Sequence, residues 1–149
     1  MSQWPDVARM NDLEKSINAL YDQVGAASGL SDSSFDILYA LALYGDGCSQ
    51  RNLCERCWIG KQTIHSAIGR LVERGMLSVE PGRGRATRVV LTEAGKALVA
   101  RKVHPILEAE SRALARFSPE ERAATEGMLT RYRDALAEEF AVIGGVACR

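Results

Sequence analysis

SQRNLCERCWIGKQTIHSAIGRLVERGMLSVEPGRGRATRVVL, residues 49–91, holds two short helical periods followed by a period of two. Ser49 can cap a helix running to about Cys57, because a serine oxygen there accepts from an otherwise unpaired first-turn amide. A turn at Trp58-Ile59-Gly60 leads into a second helix. Its Ile64, Ala67, Ile68 and Leu71 fall on one face at three- and four-residue steps, and Gly75 ends it. Then Leu77–Glu80 reads as a strand, Pro81-Gly82-Arg83-Gly84 as a hairpin tip and Thr87–Leu91 as the returning strand.

Two short helices and a hairpin with a basic tip form the plan of a winged helix-turn-helix. Upstream, a helix starting near Pro5 carries Met10, Leu13, Ile17, Leu20, Tyr21 and Val24 as one apolar stripe, with Gly25 and Gly29 closing it. Ser31 is placed to cap the next helix, whose buried face is Phe35, Leu38, Leu41 and Ala42, and Gly45-Asp46-Gly47 stops it. Downstream, Thr92 opens a long helix predicted to reach about Phe117 with a kink at Pro105. Ser118-Pro119-Glu120-Glu121 then has the form of a capping box. The last helix places Ala124, Met128, Tyr132, Leu136 and Phe140 at about four-residue spacing and stops at Gly144-Gly145. The expected fold is mainly α with a small β-hairpin wing. Residues 1–29 form an N-terminal dimerisation helix, 30–92 the winged helix-turn-helix and 93–149 the C-terminal dimerisation helices. The long helices carry more apolar surface than the small winged domain can cover, which predicts a second copy of the chain against them.

A chain of 149 residues, 46% apolar and 26% charged, suits one soluble domain with a real core. No apolar run approaches the roughly 18 residues of a membrane span. Met1–Val7 lacks the basic-then-apolar pattern of a secretory leader, so a cytoplasmic location is expected. The net charge is zero, yet its distribution is uneven. Residues 1–47 carry two basic against seven acidic side chains, residues 48–91 eight against three, and residues 92–149 nine of each. A cationic middle third between acidic and neutral flanks predicts a surface that faces a polyanion.

Several motifs in this order resemble the MarR-type transcriptional regulators. They are Leu30 through Leu38, Ser49-Gln50-Arg51-Asn52-Leu53, Thr63-Ile64 through Leu71-Val72-Glu73-Arg74-Gly75, and Arg85 followed by Val90-Leu91-Thr92-Glu93-Ala94-Gly95. The resemblance covers residues 30–98 and implies a DNA-binding winged helix-turn-helix regulator, not an enzyme. This chain departs from the pattern at three places. The hairpin usually has an acidic residue two positions before the arginine matching Arg85, and Arg83 stands there, so the usual Asp–Arg brace of the wing is absent. Gly60 replaces the common Ser or Thr cap of the recognition helix. Trp58 occupies a turn position where glycine is common.

With Ile64, Ala67, Ile68 and Leu71 inward, the polar residues Lys61, Gln62, Thr63, His65, Ser66 and Arg70 fall on other faces of the same helix. The set suits major-groove reading: Lys61 and Arg70 for phosphate or guanine, Gln62 bidentate to adenine, Thr63 and Ser66 for base edges or backbone. Arg83, Arg85 and Arg88 belong to the hairpin, which can follow the backbone into a narrow minor groove. Ser49, Gln50 and Arg51 are expected to make positioning contacts with phosphate. One helix reads few base pairs, so specificity requires two half-sites about one helical turn apart and a symmetric homodimer on double-stranded DNA.

Cys54-Glu55-Arg56-Cys57 is a C-x-x-C with Cys48 six residues upstream. It admits a redox switch through Cys54 and Cys57, a zinc site completed by His65, or three buried small side chains. Burial is favoured, since the resemblance implies apolar Leu, Ala and Leu at these positions, on the inward face of the third helix. Zinc is the weakest reading because no second C-x-x-C or histidine pair completes four ligands, so no metal or other cofactor is expected. The resemblance also implies a small aromatic or anionic effector in a cleft beside the dimerisation helices, for which Tyr21, Phe35, Tyr39 and His104 are the candidates. Two histidines without a nucleophile or phosphate-cradling loop point away from catalysis. A winged module that binds proteins instead of DNA remains a third reading, against which the basic face counts.

Overall fold

A computed structural model describes residues 3–84 and 86–144, in which seven helices flank one two-stranded antiparallel sheet. The helices are α1 (Pro5–Ala27), α2 (Asp32–Tyr44), α3 (Gln50–Cys57), α4 (Lys61–Glu73), α5 (Glu93–Lys102), α6 (His104–Leu114) and α7 (Pro119–Val142). The strands β1 (Leu77–Pro81) and β2 (Thr87–Leu91) pair in the register Leu77↔Leu91, Val79↔Val89 and Pro81↔Thr87. Two compact units divide within α6, Met1–Leu107 and Glu108–Arg149.

The core of the first unit takes in most of the faces that periodicity assigns inward and adds Ile37, which lies off the face read for α2. Ile37, Leu38 and Leu41 of α2, Leu53 of α3, Ile64 and Leu71 of α4, Leu77 and Val89 of the hairpin and Val103 are almost wholly removed from water. Each such side chain contributes roughly 1.5–3 kcal/mol of transfer free energy, so α2, α3, α4 and the hairpin are one packed body. Ala42 only flanks that core, partly buried.

Tertiary packing alters three local expectations. Gly25 does not end α1. It lies inside the helix and is buried, and the Phe35 ring of α2 packs against it, 3.6 Å from an ideal Cβ. Ser31 does stand at the N-cap of α2, but its hydroxyl bonds to the Ser34 hydroxyl (2.9 Å) and caps no amide. The helix begun at Thr92 is broken, not kinked: α5 ends at Lys102 and α6 restarts at His104, with buried Val103 between them. Pro105 has no amide to donate and favours a first helical turn, and Val103 spends its carbonyl on Ile106 and Leu107 instead.

The predicted box at Ser118 forms as read, with Ser118 Oγ accepting from Glu121 N and Glu121 from Ser118 N. Along α1 the stripe Val7, Met10, Leu13, Ile17, Leu20, Tyr21 and Val24 is exposed. Met128, Leu129, Tyr132 and Phe140 of α7 are exposed too. Among the described residues no helix is long and apolar enough to cross a membrane.

Candidate nucleic-acid interface

The helix pair α3–α4 is fixed from its first residue. Ser49 and Asn52 form a reciprocal box, Asn52 N donating to Ser49 Oγ (3.1 Å) and Ser49 N to Asn52 Oδ1 (3.3 Å). This cap engages Ser49 locally, and Asn52, absent from the expected contact set, supplies its other half. Gln50 spans the two helices: its amide nitrogen lies 3.5 Å from the Lys61 carbonyl and its oxygen 3.4 Å from His65 Nδ1. Gln50 and His65 thus lean on each other as much as they face outward.

On α4 the inward set is fully buried, which leaves Lys61, Gln62, Thr63 and Ser66 exposed on the other faces. Their side chains bond to no described residue, so their donors and acceptors are free for an external partner. The N-cap Gly60 provides no side-chain cap, and the first-turn amides of α4 are open as well.

The basic block divides into braces and open charges. Arg51 pairs with Glu55 (2.9 Å) along α3. The Arg56 guanidinium lies 4.0 Å above the Tyr44 ring and ties α3 to α2. Arg70 reaches back from α4 to Ser33 Oγ at the start of α2 (3.2 Å). Arg88 donates from Nε to the Gly47 carbonyl (3.2 Å). Lys61, Arg74 and Arg83 are exposed without such a tie to the described residues, and Arg85 lies outside those residues. A count of charge could not make this division, because each tie joins residues between 4 and 41 apart in sequence.

The wing acquires a brace from the α2–α3 loop. Gly47 N donates to Val89 O (3.1 Å) and Val89 N to Cys48 O (2.8 Å), so the loop runs beside β2 as a third, very short strand. One residue further, the Asp46 carboxylate takes the place of a main-chain carbonyl. Its Oδ1 accepts from Gly47 N (2.9 Å) and from Leu91 N (2.8 Å). Gly47 is required at φ 84°, and a Cβ there would collide with the Arg88 guanidinium. Asp46 and Arg88 therefore tie down the base of the hairpin. The signal in the sequence was an aspartate held between two glycines just before a helix cap.

Asp46→Ala leaves the Leu91 amide without its acceptor and is expected to cost about 1–3 kcal/mol, whereas Asp46→Asn, which keeps Oδ1, costs much less. Chemical denaturation of both variants checks the order.

Cys48, Cys54 and Cys57 flank the core from one side, half-buried and unpaired. The Cys57 thiol donates to the Asp36 carbonyl (3.6 Å), and that of Cys48 to Gly45 O (3.2 Å). Burial, then the nearby Asp36 carboxyl, pushes Cys57 from 9.0 up to about 11. Asp36 itself is raised by burial and by the charges of Asp32 and Asp22. At neutral pH Cys57 is a thiol with a thiolate fraction about a hundredfold smaller than an ordinary cysteine. Alkylation by iodoacetamide at neutral pH, followed by mass spectrometry, is expected to label Cys57 at least tenfold (~) more slowly in the folded than in the unfolded chain. The unfolded chain loses this proton first, so stability falls as pH rises from 9.0 to about 11. No group of three His, Cys, Asp or Glu side chains gathers as a metal site would need among the described residues.

Of the aromatic candidates for an effector cleft, Phe35 and Tyr39 come together as a tilted ring pair with centroids 5.9 Å apart. Phe35 is buried, Tyr21 is exposed on α1, and His104 is exposed as the first residue of α6.

Comparison with known proteins places these features in a lineage. A family model described as MarR family matches residues 28–86, the segment from the α2 entry to the hairpin. The HTH-type transcriptional regulator PecS of Dickeya dadantii (strain 3937) is 32% identical over 119 residues, 77% of this chain and 72% of PecS. Among solved structures, NMB1585, a MarR family regulator from Neisseria meningitidis, superposes with a TM-score of 0.78 at 22% identity, covering 95% of this chain and 98% of that one. BpsR of Bordetella bronchiseptica, whose DNA binding is regulated by 6-hydroxynicotinic acid, gives 0.61 at 27% identity over 85% and 93%.

Proposed function

The chain belongs to the MarR family of DNA-binding transcriptional regulators, and we propose that it is a cytoplasmic repressor acting as a homodimer on a pseudo-palindromic operator. The observation that carries this reading is the face of α4. Lys61, Gln62, Thr63 and Ser66 stand exposed and unbonded opposite a fully buried apolar stripe. That is the arrangement a helix needs to enter a major groove while its other side stays in the core. Arg83 on the hairpin extends the positive surface beyond the helix, and Arg85 and Arg88 are assigned to the same contact. Ser49, Gln50, Arg51, His65 and Arg70 complete the assigned DNA-facing set, the last mainly by holding α4 to α2.

The homodimer is supported by uncovered apolar surface. Leu13, Ile17 and Leu20 of α1 are 47–62% exposed, and α7 presents its own exposed row. Contiguous faces of this size are rarely left in water. A small aromatic or anionic effector is proposed to bind beside Tyr21, Phe35, Tyr39 and His104 and to favour a dimer whose two α4 helices no longer match successive grooves.

The test is selection of bound duplex from a random pool, followed by titration of the recovered site across salt concentrations and sedimentation of the complex. The expected result is two half-sites about one helical turn apart, two chains per site and a steep log–log salt slope. A flat slope, or one chain per duplex, overturns the proposal.

A further inference from the structure

Trp58 stands out on two independent counts. Its backbone is left-handed, φ 53° and ψ 29°, and it alone has positive φ among the described residues other than glycine. A bulky L residue in this region sacrifices about 5- to 30-fold in folding equilibrium relative to a relaxed conformation, whereas glycine does not. Its indole is also 89% exposed, the most exposed of the large apolar side chains among the described residues. A side chain that both strains its backbone and leaves its ring in water adds nothing to the fold. Glycine at the same place would serve folding better on each count.

The surroundings say what the ring faces. Trp58 occupies the turn between α3 and α4, three residues before Lys61 and two before the open N-cap Gly60. The residues on either side, Cys57 and Ile59, are packed against the core. They hold the turn rigid, so the indole cannot fold inward and is presented at small entropic cost. Beside it begins the run of free donors on α4 that starts with Lys61. An aromatic plane with one N–H donor, next to an unpaired cation and open helix amides, complements a sugar–phosphate edge: apolar deoxyribose for the ring face, phosphate oxygen for the N–H.

We propose that Trp58 is a DNA-contacting residue, its indole packing on the sugar–phosphate edge of the groove that α4 enters. This rests on the assignment of α4 as the helix that reads duplex DNA. It adds a contact that a glycine at this turn cannot make.

Trp4 and Trp58 are the two tryptophans of the chain, so Trp4→Phe leaves Trp58 as the sole indole. With the operator recovered by selection, binding is expected to shift Trp58 emission to the blue and to lower its acrylamide quenching at least about twofold. Trp58→Gly is expected to melt at a higher temperature than the parent yet bind the operator about tenfold more weakly, and Trp58→Phe to retain most of the affinity. Opposite signs in stability and binding rule out a simple loss of folding. Should the parent bind tightly while Trp58 stays fully quenchable, or Trp58→Gly bind as well as the parent, the contact is refuted and the ring is left to a protein partner. Should the parent bind no duplex at all, the assignment of α4 fails, and this contact with it.

Discussion

Lys61→Glu is expected to weaken operator binding severely without weakening the fold. Lys61 is the first residue of α4, and its exposed side chain bonds to no described residue; the Gln50 amide reaches only its main-chain carbonyl, so no packing depends on the side chain. A carboxylate in the first turn of a helix interacts favourably with the amide dipoles there, worth about 0.3–1 kcal/mol, so thermal stability should hold or rise. Binding loses a phosphate contact from each protomer and gains a repulsion in its place. The expected consequence is a loss of about 10²–10³-fold in affinity at moderate salt and a log–log salt slope shallower by about 2 for the dimer. Arg70→Ala, by contrast, releases a tie to Ser33 and should change the slope much less. Fluorescence titration at several salt concentrations separates them; equal effects of the two changes would reverse the division between open and bracing cations.

That division is also where the sequence stops being legible. Phe35, Leu38 and Leu41 on the buried face of α2, the buried face of α4, the box at Ser118, the two hairpin strands and the turn at Trp58 follow from spacing and capping chemistry, which are local, whereas buried Ile37 does not. Gly25 inside α1, the Ser31–Ser34 bond and the break at Val103 depend on what packs or bonds nearby, and a local reading misplaces each of them. The bracing contacts are harder still. Ser33 and Arg70 are 37 residues apart, Asp46 and Leu91 are 45 apart, and nothing in either neighbourhood announces the other. A positive block in sequence therefore overstates the charge available to DNA: some of its arginines serve the architecture that presents the rest. The hairpin makes the same point from the other side. The sequence lacks the Asp–Arg brace that the resemblance implies for the wing, and Asp46 and Arg88 tie its base instead, the first from a loop that precedes α3.

A second large effect is expected where the hairpin hands over to α5. Thr92 caps this helix by accepting from Gly95 N (3.0 Å) while its hydroxyl donates to Gly75 O (2.6 Å) and its own amide bonds to Met76 O (3.1 Å). These bonds draw Gly95 so close to the preceding segment that an added Cβ would lie 2.0 Å from Met76 O and 3.2 Å from Leu91 Cδ2. The obstacle is main chain, and Met76 is itself held by its amide to Leu71 O (2.8 Å), so no side-chain rotation relieves the clash. Gly95→Ala must push α5 off the hairpin and disturb the Thr92 cap, at a cost of about 3–5 kcal/mol. Gly127 in α7 supplies the control. Its Cβ would meet nothing within 4 Å, so Gly127→Ala improves helix propensity alone and should stabilise by roughly 0.5–1 kcal/mol. The same one-methyl change is thus expected to act with opposite signs at two helical glycines, as thermal unfolding of both variants would reveal. A Gly95→Ala protein that melts with the parent would mean that the close approach of α5 to Met76 does not hold in solution.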